Sequence, residues 1–506
     1  MTTSVSDILL SQLSEFVASQ MGLHFPTERW RDLERGIHSA AREFGFADAE
    51  ACVQWLLASP LTRSQVEVLA SHLTVGETYF FREKRTFALL EEHVLPELIR
   101  SRRGMNQHLR IWSAGCASGE EPYSIAMLLQ KLIPDVDRWN ITILATDINP
   151  RFLQKASQGI YADWSFRDTP HWVREGYFKK TEEGRFQILP SIQKMVSFSH
   201  LNLAVDVYPS LCNNTNAMDV ILCRNVLMYF AAEWQKKVVD NFHRSLVEGG
   251  WLLVSPVETS HVLFPQFVPV NFPSAILYRK DGDKAPSIDI FLSYVPEEPT
   301  PWLPPIAFPV PESEPTPAVF PEYRESLPAP AEEPQKEDVQ VSPYQEALTL
   351  YQQGRYSGAA DKLALWLSQN QNDNNAMELL ARVYANLGQL AEALEWCGRA
   401  IAADKVNVGC HYLRAMILQE QGAVEEATKS LQRTLYLDSK FVLAHFGLGN
   451  LALSQGKVKE AEKHLENALS LLRTFRQEDT LPESEGITAG RLMEIIRSTV
   501  YREALV

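Results

Sequence analysis

Apolar residues recur at helical spacing through the first 75 residues of the chain. Three segments carry them: Ile8, Leu9, Leu13, Phe16 and Val17, then Leu33, Ile37, Ala41 and Phe44, then Val66, Leu69 and Leu73. Spacings of three and four residues place such positions on one face of a helix, so the sequence predicts an all-α N-terminal domain over residues 1–75. The same domain contains four recurring arginines, Arg29, Arg31, Arg35 and Arg42. They form either a basic face for an acidic partner or an ordinary solvated helix surface.

Residues 76–280 alternate short apolar runs with amphipathic stretches. The runs predicted as strands are Leu109–Trp112, Ile141–Thr146, Met218–Cys223, Trp251–Ser255 and Ala275–Arg279, and helices are predicted to begin at Glu120, Pro150 and Ala232. This order is typical of a doubly wound α/β sheet. Alternating residues over about 177–199, around a turn at Thr181–Gly184, predict a small antiparallel β insert at an edge of that sheet.

A stretch rich in proline and glutamate follows. Its composition over residues 281–342 predicts an extended, semi-rigid linker. Three large apolar residues within it, Trp302, Phe308 and Phe320, form either a docking peptide or part of a plain spacer.

A repeat fills residues 343–506. Gly354, Gly388, Gly422 and Gly456 lie 34 residues apart, as do Ala359, Ala393, Ala427 and Ala461. This period is typical of tetratricopeptide (TPR) repeats, whose helix pairs stack to bury a continuous core. We predict an all-α solenoid of four repeats, with each glycine ending the first helix of a pair and a capping helix around Gly490–Val500.

Charge and composition narrow the class of protein. Residues 1–280 hold 28 Lys and Arg against 30 Asp and Glu, and most of the net charge of −15 lies beyond them. Such a chain is a poor general ligand for nucleic acid. With neither a long apolar run nor a basic leader, the sequence predicts a cytoplasmic protein without membrane insertion. The six cysteines form no Cys-x-x-Cys pair, so neither a metal site nor a disulfide framework is indicated.

The strand–loop–helix segment from Leu109 to Leu129 indicates a cofactor site. Gly115 and Gly119 permit close approach of backbone to a ligand, and Asp147 ends the next strand, where such folds place an acid that binds ribose hydroxyls. The loop lacks both the dinucleotide spacing and the Gly-Lys-Ser/Thr of a phosphate loop. A ribose-containing cofactor without phosphate fits better, with S-adenosylmethionine as the candidate; the alternative is a tight turn without a ligand.

Several motifs occur together in one order along residues 1–280. They are Phe80-Phe-Arg-Glu83, Gly119-Glu-Glu-Pro-Tyr-Ser124, Ala145-Thr-Asp-Ile-Asn149, His200-Leu-Asn-Leu203 and Cys223-Arg-Asn-Val226. In these motifs the chain resembles the CheR family of chemoreceptor glutamate methyltransferases.

The resemblance implies which residues line the S-adenosylmethionine pocket: Thr78, Arg82, Glu121, Asp147, Asn202, Leu203, Arg224 and Asn225. It implies that Asp147 holds the ribose, that Asn202 and Leu203 lie on the adenine side, and that Arg224 and Asn225 form the floor below the sulfonium. Arg82 and Tyr229 are implied as the catalytic pair facing the substrate carboxylate.

The implied activity is that of an S-adenosylmethionine-dependent protein-glutamate O-methyltransferase. Its substrate would be the cytoplasmic helical bundle of a methyl-accepting chemoreceptor, and the repeats would bind a protein or peptide. Two other functions stay open: a scaffold that binds the cofactor without turnover and acts through its repeats, and a methyltransferase for small molecules or RNA, which the acidic balance disfavours.

The chain departs from the family pattern at two places. Many relatives have asparagine where this chain has Gly76, which removes one polar side chain from the cofactor side. The Thr181–Gly184 turn is shorter than in relatives that grip a receptor's C-terminal tether. We therefore expect recognition that does not depend on a tether.

Overall fold

The computed structural model describes residues 5–104, 107–273, 275–281 and 342–503. The described residues of 1–284 and 343–506 belong to one compact unit. The linker prediction, with Trp302, Phe308 and Phe320, lies outside the described residues apart from positions 281 and 342.

The N-terminal region is helical, as predicted. Its helices are α1 (Asp7–Met21), α2 (Trp30–Glu43), α3 (Ala49–Ala58) and α4 (Arg63–Leu73). Two further helices, α5 (Lys84–Leu89) and α6 (Leu95–Arg102), flank a π-helical turn at Leu90–Val94 and lead into the sheet.

A seven-stranded sheet forms the centre of the fold. The elements between residues 108 and 280 are β1 (His108–Ala114), α7 (Glu120–Leu132), β2 (Asn140–Asp147), α8 (Pro150–Gln158), β3 (Ile160–Tyr161), α9 (His171–Tyr177), β4 (Phe178–Lys180), β5 (Phe186–Ile188), α10 (Pro190–Gln193), β6 (Val196–His200), β7 (Met218–Leu222), α11 (Ala232–Ser245), β8 (Leu246–Leu253), β9 (Val268–Phe272) and β10 (Ala275–Arg279). The strand order is β6-β2-β1-β7-β8-β10-β9. The first five strands in this order are parallel to one another, and β10 pairs antiparallel with both β8 and β9.

Alternate residues of the central strands enter two different cores. Trp112, Leu144 and Ile221 pack with residues of α1–α4 and α11. Their strand neighbours Ile111, Ile143 and Val220 point to the other face of the sheet and pack with residues of α5–α9. The period of two along each strand causes this division. The N-terminal helices therefore share a continuous core with one face of the sheet, and the predicted doubly wound fold is confirmed.

The predicted β insert is partly wrong. β4 and β5 pair antiparallel as expected, but their third strand is β3, in a separate sheet of order β3-β5-β4. Residues 196–199, which the sequence assigned to the insert, instead belong to the parallel edge strand β6 beside β2. A short alternating pattern gives the face of a strand but not its partner, and the two-residue β3 is too short to leave a pattern.

The repeats form paired helices as predicted. They are α12 (Pro343–Gln352), α13 (Tyr356–Gln369), α14 (Asn374–Asn386), α15 (Leu390–Ala403), α16 (Val408–Glu420), α17 (Val424–Leu437), α18 (Val442–Ser454) and α19 (Val458–Leu472), and α20 (Ala489–Glu503) follows. The four turn glycines have φ between 72° and 77°, which ends the first helix of each pair. Leu492 and Ile496 of α20 share a core with Leu465 and Leu472 of α19.

The repeats pack directly on the α/β region. An added Cβ at Gly354 would meet Arg244 of α11, and one at Gly388 would meet Val247 of β8. Arg110 of β1 forms an ion pair of 3.3 Å with Glu420 of α16, and both side chains are almost fully buried. Among the described helices, none combines the length and apolar character that crossing a membrane requires.

Candidate active site

A cleft opens at the carboxyl ends of β1, β2 and β7. It is partly open to solvent, and crevices at the topological switch point of an α/β sheet are preferred small-molecule sites. All nine residues implied by the family resemblance line it: Thr78, Arg82, Glu121, Asp147, Asn202, Leu203, Arg224, Asn225 and Tyr229. Parallel strands on either side of β1 leave such a crevice where the strand order reverses.

The loop between β1 and α7 is held against the end of β2. Gly115 N and Cys116 N donate to the carbonyl oxygen of Thr146, at 2.8 and 2.9 Å. Gly115 has φ of 81°, and a Cβ there would lie 2.4 Å from Val226 Cγ2. Only glycine lets the loop and the Val226 segment approach this closely.

Asp147 is fixed by backbone donors. Its Oδ2 accepts from Ala117 N at 2.9 Å and its Oδ1 from Asn149 N at 2.8 Å. Each carboxylate oxygen can accept a second hydrogen bond, so the group has capacity for two ligand hydroxyls. Burial raises the pKa of Asp147 to about 6, against the opposing effect of the Asn149 and Ala117 amides.

This pKa predicts how cofactor affinity depends on pH. The folded apoprotein keeps the Asp147 proton up to a pH of about 6, whereas the unfolded chain releases it near a pKa of about 3.9. The stabilisation from this proton is therefore present below about pH 4 and is lost as the pH rises through about 6. Ribose hydroxyls donate best to the ionised carboxylate, so affinity should change in the opposite direction.

We expect the dissociation constant for S-adenosylmethionine to increase by up to about tenfold per pH unit below about 6 and to level off above it. Isothermal titration calorimetry between about pH 5 and pH 7 measures this dependence. The Asp147→Asn variant, which has no proton to lose, provides the control with a flat profile. A flat profile in the wild type would contradict the prediction.

Arg224 organises the floor of the cleft. Its guanidinium pairs with Glu121 at 2.9 Å and with Glu83 at 3.0 Å, and it donates to the carbonyl oxygen of Arg82. Burial lowers the pKa of Arg224, but the charges of Glu121 and Glu83 outweigh it and leave a raised value. Glu121 also accepts from Ser113 Oγ at 2.7 Å. Arg224 and Glu121 both line the cleft, and most of their hydrogen bonds and ion pairs go to neighbouring residues that form its walls.

Arg82 lies in a strained turn at the mouth of the cleft. Its neighbours Phe81 and Glu83 have φ of 57° and 58°, a region that costs non-glycine residues free energy and often marks functional sites. The Arg82 guanidinium donates to the carbonyl oxygen of Glu77. Thr78 lines the cleft on the same segment. The turn thus fixes an arginine, with further donors, beside the cofactor space.

Asn225 presents an acceptor that has no hydrogen-bond partner among the described residues. Its Oδ1 is buried in the cleft wall, and its backbone has φ of 58°. A buried orphan acceptor costs about 1–3 kcal/mol. An amino or ammonium group of a ligand would satisfy it. The acceptors of Asn225 and Asp147 therefore fit S-adenosylmethionine, which carries hydrogen-bond donors in its ribose hydroxyls and its amino acid ammonium.

Glu258 supports the Asn225 turn from behind and was not predicted. Its carboxylate accepts from Asn225 N and Val226 N, both at 2.7 Å, and from Met228 N at 3.2 Å. It also closes a capping box with Ser255. The Ser-x-x-Glu spacing at positions 255–258 was a visible signal of a helical cap, but it gave no indication that the same carboxylate holds a second loop.

Removal of the Glu258 carboxylate should therefore cost both stability and activity. For Glu258→Ala we expect the free energy of unfolding to fall by about 2–4 kcal/mol, because several buried backbone donors lose their acceptor. Urea unfolding measures the change. Glu175→Ala, at an exposed position of α9, is the matched control and should unfold like the wild type. Equal unfolding of both variants would contradict the supporting role.

The N-terminal region closes one side of the cleft. His24 N donates to the Tyr229 carbonyl oxygen at 2.8 Å, and Ala231 N to that of Gly22 at 3.0 Å. Arg29 lies 5.1 Å from the ring centre of Tyr229 and also lines the cleft. In the sequence, Arg29 is one of four recurring arginines that form either a basic face or an ordinary solvated surface. Nothing in the sequence indicated that this residue reaches the implied catalytic tyrosine.

The ring of Phe152, a residue not predicted from the sequence, explains the glycine at position 76. A Cβ at Gly76 would lie 2.3 Å from the tip of the Phe152 ring. Phe152 of α8 lines the cleft. The aromatic ring therefore occupies the space that an asparagine side chain at position 76 would need.

We expect Gly76→Asn to force the Phe152 ring aside and to lower the free energy of unfolding by about 1–3 kcal/mol. A thermodynamic cycle with Phe152→Ala tests the cause, since the double variant should lose less than the sum of the two single variants. Gly176→Asn, where an added Cβ meets open space, is the control. Strict additivity would show that the ring does not determine the tolerance at position 76.

The region of the chain that contains this cleft matches a known family. The family model described as CheR methyltransferase, SAM binding domain, matches residues 76–265. Models described as anaphase-promoting complex, cyclosome, subunit 3, and as tetratricopeptide repeat match residues 353–434 and 412–474.

Similar proteins include chemotaxis protein methyltransferases from three bacteria. The chain is 32% identical over 253 residues to that of Borreliella burgdorferi (49% of this chain, 87% of the relative). It is 37% identical over 216 residues to methyltransferase 2 of Vibrio cholerae (43% and 73%) and 35% over 217 residues to methyltransferase 1 of Pseudomonas aeruginosa (42% and 77%). A solved structure of the MamA double mutant has 22% identity and a TM-score of 0.25 over 26% of this chain and 74% of its own.

The match to a SAM binding domain, on a doubly wound sheet with a cleft at its switch point, identifies an S-adenosylmethionine-dependent methyltransferase. The sequence identity over most of the length of the relatives specifies it further. The chain belongs to the family of CheR chemotaxis protein methyltransferases and carries tetratricopeptide repeats in its C-terminal part.

Proposed function

We propose that this chain is a protein-glutamate O-methyltransferase that modifies glutamate side chains in the cytoplasmic helical bundle of a chemoreceptor-like signalling protein. The observation that carries the proposal is the presence of all nine implied residues in one cleft of a chain from this family. The reaction would take place in the cytoplasm, where that bundle lies. The repeats would bind a protein or peptide partner.

The proposed chemistry needs no general base. A glutamate side chain has a pKa of about 4.3 and is ionised at neutral pH. When bound, S-adenosylmethionine supplies the methyl group as a substituent of a positively charged sulfur. The protein has to align the carboxylate with that group and exclude water, and alignment alone lowers barriers by up to about 7–11 kcal/mol in well-oriented systems.

Arg82 and Tyr229 are the proposed catalytic residues. The forked donors of a guanidinium orient a carboxylate in one plane, and Arg82 has further donors beyond the one given to Glu77. Tyr229 follows the carboxyl end of β7, where open α/β sheets place substrate groups. The Arg29 guanidinium next to the Tyr229 ring adds positive charge at the same mouth, which favours an acidic substrate.

Eight of the nine residues are proposed to bind the cofactor. Asp147 would accept from the ribose hydroxyls, Asn202 and Leu203 would lie beside the adenine, and Asn225 would accept from an amino group. Arg224 and Asn225 would form the floor below the sulfonium, with Glu121, Thr78 and Arg82 on the remaining wall. The support is their position in the cleft together with the bonding capacity of Asp147 and Asn225.

Methyl transfer to receptor fragments tests the proposal. The full chain is incubated with S-adenosylmethionine carrying a labelled methyl group and with cytoplasmic fragments of chemoreceptors from the same organism. We expect label in a receptor fragment that mild base releases, because carboxyl methyl esters hydrolyse readily. Cofactor binding without label in any receptor would favour the scaffold function. Base-stable label would indicate a different acceptor group. Either result would overturn the proposal.

A further inference from the structure

The repeats hold the chain segment that closes one side of the cofactor cleft. This segment starts at Asn202 and Leu203, both buried in the cleft wall, and runs to Asn216 before β7 begins. The Asn202 side chain donates to the Gln20 carbonyl oxygen at 2.9 Å and accepts from Ala204 N at 3.1 Å. Its position therefore depends on how the following turn is held.

The carboxylate of Asp206 connects that turn to the repeats. Asp206 Oδ2 accepts from Asn202 N at 2.7 Å, and Asp206 N donates to the Asn202 carbonyl oxygen at 2.9 Å. The same Oδ2 accepts from the guanidinium of Arg491 in α20. Side-chain exposure is 19% for Arg491 and 9% for Asp206, so the pair is largely withdrawn from water and is screened less than a surface pair.

Two more contacts fix the rest of the segment. Leu211 N donates to Glu485 Oε2 at 2.9 Å, and Cys212 Sγ lies 3.3 Å from the hydroxyl of Tyr412 in α16. At the far end, Asn216 Nδ2 donates to Glu420 Oε2 at 3.3 Å. The repeats thus contact the segment along its length, and of these contacts the one made by Arg491 lies nearest in the chain to Asn202 and Leu203.

We propose that Arg491 is a positioning residue for the cofactor: through Asp206 it fixes the turn at residues 202–206, so that the docked repeats set the affinity for S-adenosylmethionine. The inference rests on the proposed placement of the cofactor beside Asn202 and Leu203. It assigns the repeats a part in building the cofactor site, in addition to any partner they bind. A partner that draws α20 away from Asp206 would lower methyl transfer at limiting cofactor.

The test measures cofactor affinity in the full-length chain. We expect Arg491→Ala to raise the dissociation constant for S-adenosylmethionine by about 5- to 150-fold, the usual range of coupling between sites. The turnover number at saturating cofactor should stay within about twofold of the wild-type value, because the substitution weakens cofactor binding and leaves the reacting groups in place. Arg491→Lys, which keeps the charge, should recover part of the affinity. Arg497→Ala, at an exposed arginine of the same helix, is the matched control.

A thermodynamic cycle with Asp206→Ala identifies the route. If Arg491 acts through Asp206, the double variant binds the cofactor no more weakly than Asp206→Ala alone. Additive losses would overturn the proposal, as would wild-type affinity in Arg491→Ala. A fall in turnover number with unchanged affinity would also overturn it. Failure of the wild-type chain to bind the cofactor would refute the proposed function itself, so the two failures are distinguishable.

Discussion

Replacement of Asp147 by alanine is expected to raise the dissociation constant for S-adenosylmethionine by about 10- to 150-fold. A hydrogen bond to a charged group contributes about 1.5–3 kcal/mol, and the Asp147 carboxylate has room for two ribose hydroxyls beyond its bonds to Ala117 N and Asn149 N. The variant also releases the loop after β1, since Ala117 N loses its acceptor. The effect on affinity should therefore exceed that of any other single cofactor contact.

Calorimetric titration of the full chain with S-adenosylmethionine measures this change. Asp163→Ala is the matched control, because Asp163 is an exposed acid that pairs with Arg174 away from the cleft. Its affinity should equal that of the wild type. Undiminished affinity in Asp147→Ala, with the control also unchanged, would show that the cofactor does not lie against β2.

Replacement of Arg82 by alanine is expected to lower the turnover number for methyl transfer by at least about 100-fold. The loss combines a charge-assisted hydrogen bond to the substrate carboxylate with the alignment it provides. Cofactor affinity should change much less, because Asp147 and Asn225 stay in place. Arg82→Lys should recover only part of the rate, since an ammonium cannot hold a carboxylate in one plane.

Steady-state rates with a receptor fragment at saturating cofactor, together with cofactor titration, separate the two effects. Arg85→Ala removes an exposed arginine from α5, three residues along the same segment, and should leave both quantities unchanged. If Arg82→Ala weakened only the affinity for the cofactor, the residue would belong to the cofactor site alone and would have no part in orienting the substrate.

The sequence predicted the parts of the site that local pattern determines. Gly115 and Asp147 follow apolar strands directly, so their position at one edge of the sheet followed from strand order. The 34-residue spacing of Gly354, Gly388, Gly422 and Gly456 likewise fixed the helix pairs, because a positive φ is required at each turn.

Contacts between residues that lie far apart in the chain could not be predicted from the sequence. The alternating pattern of Val196–His200 is the same whether the segment joins an insert or extends the main sheet. Its pairing with β2 is a tertiary contact that the pattern does not specify. Glu258 reads as a local helix cap, although its carboxylate also holds the Asn225 turn. Arg491 lies 285 residues from Asp206, so no local pattern indicates that they pair.

The most direct test of the central claim is to map the methylated residues of a receptor fragment by peptide mass spectrometry after reaction with the full chain. We expect methyl groups on glutamate side chains of the helical bundle, which mild base removes and which are missing when Arg82→Ala replaces the wild type. Methylation confined to other side chains, or glutamate methylation that persists undiminished in Arg82→Ala, would contradict it.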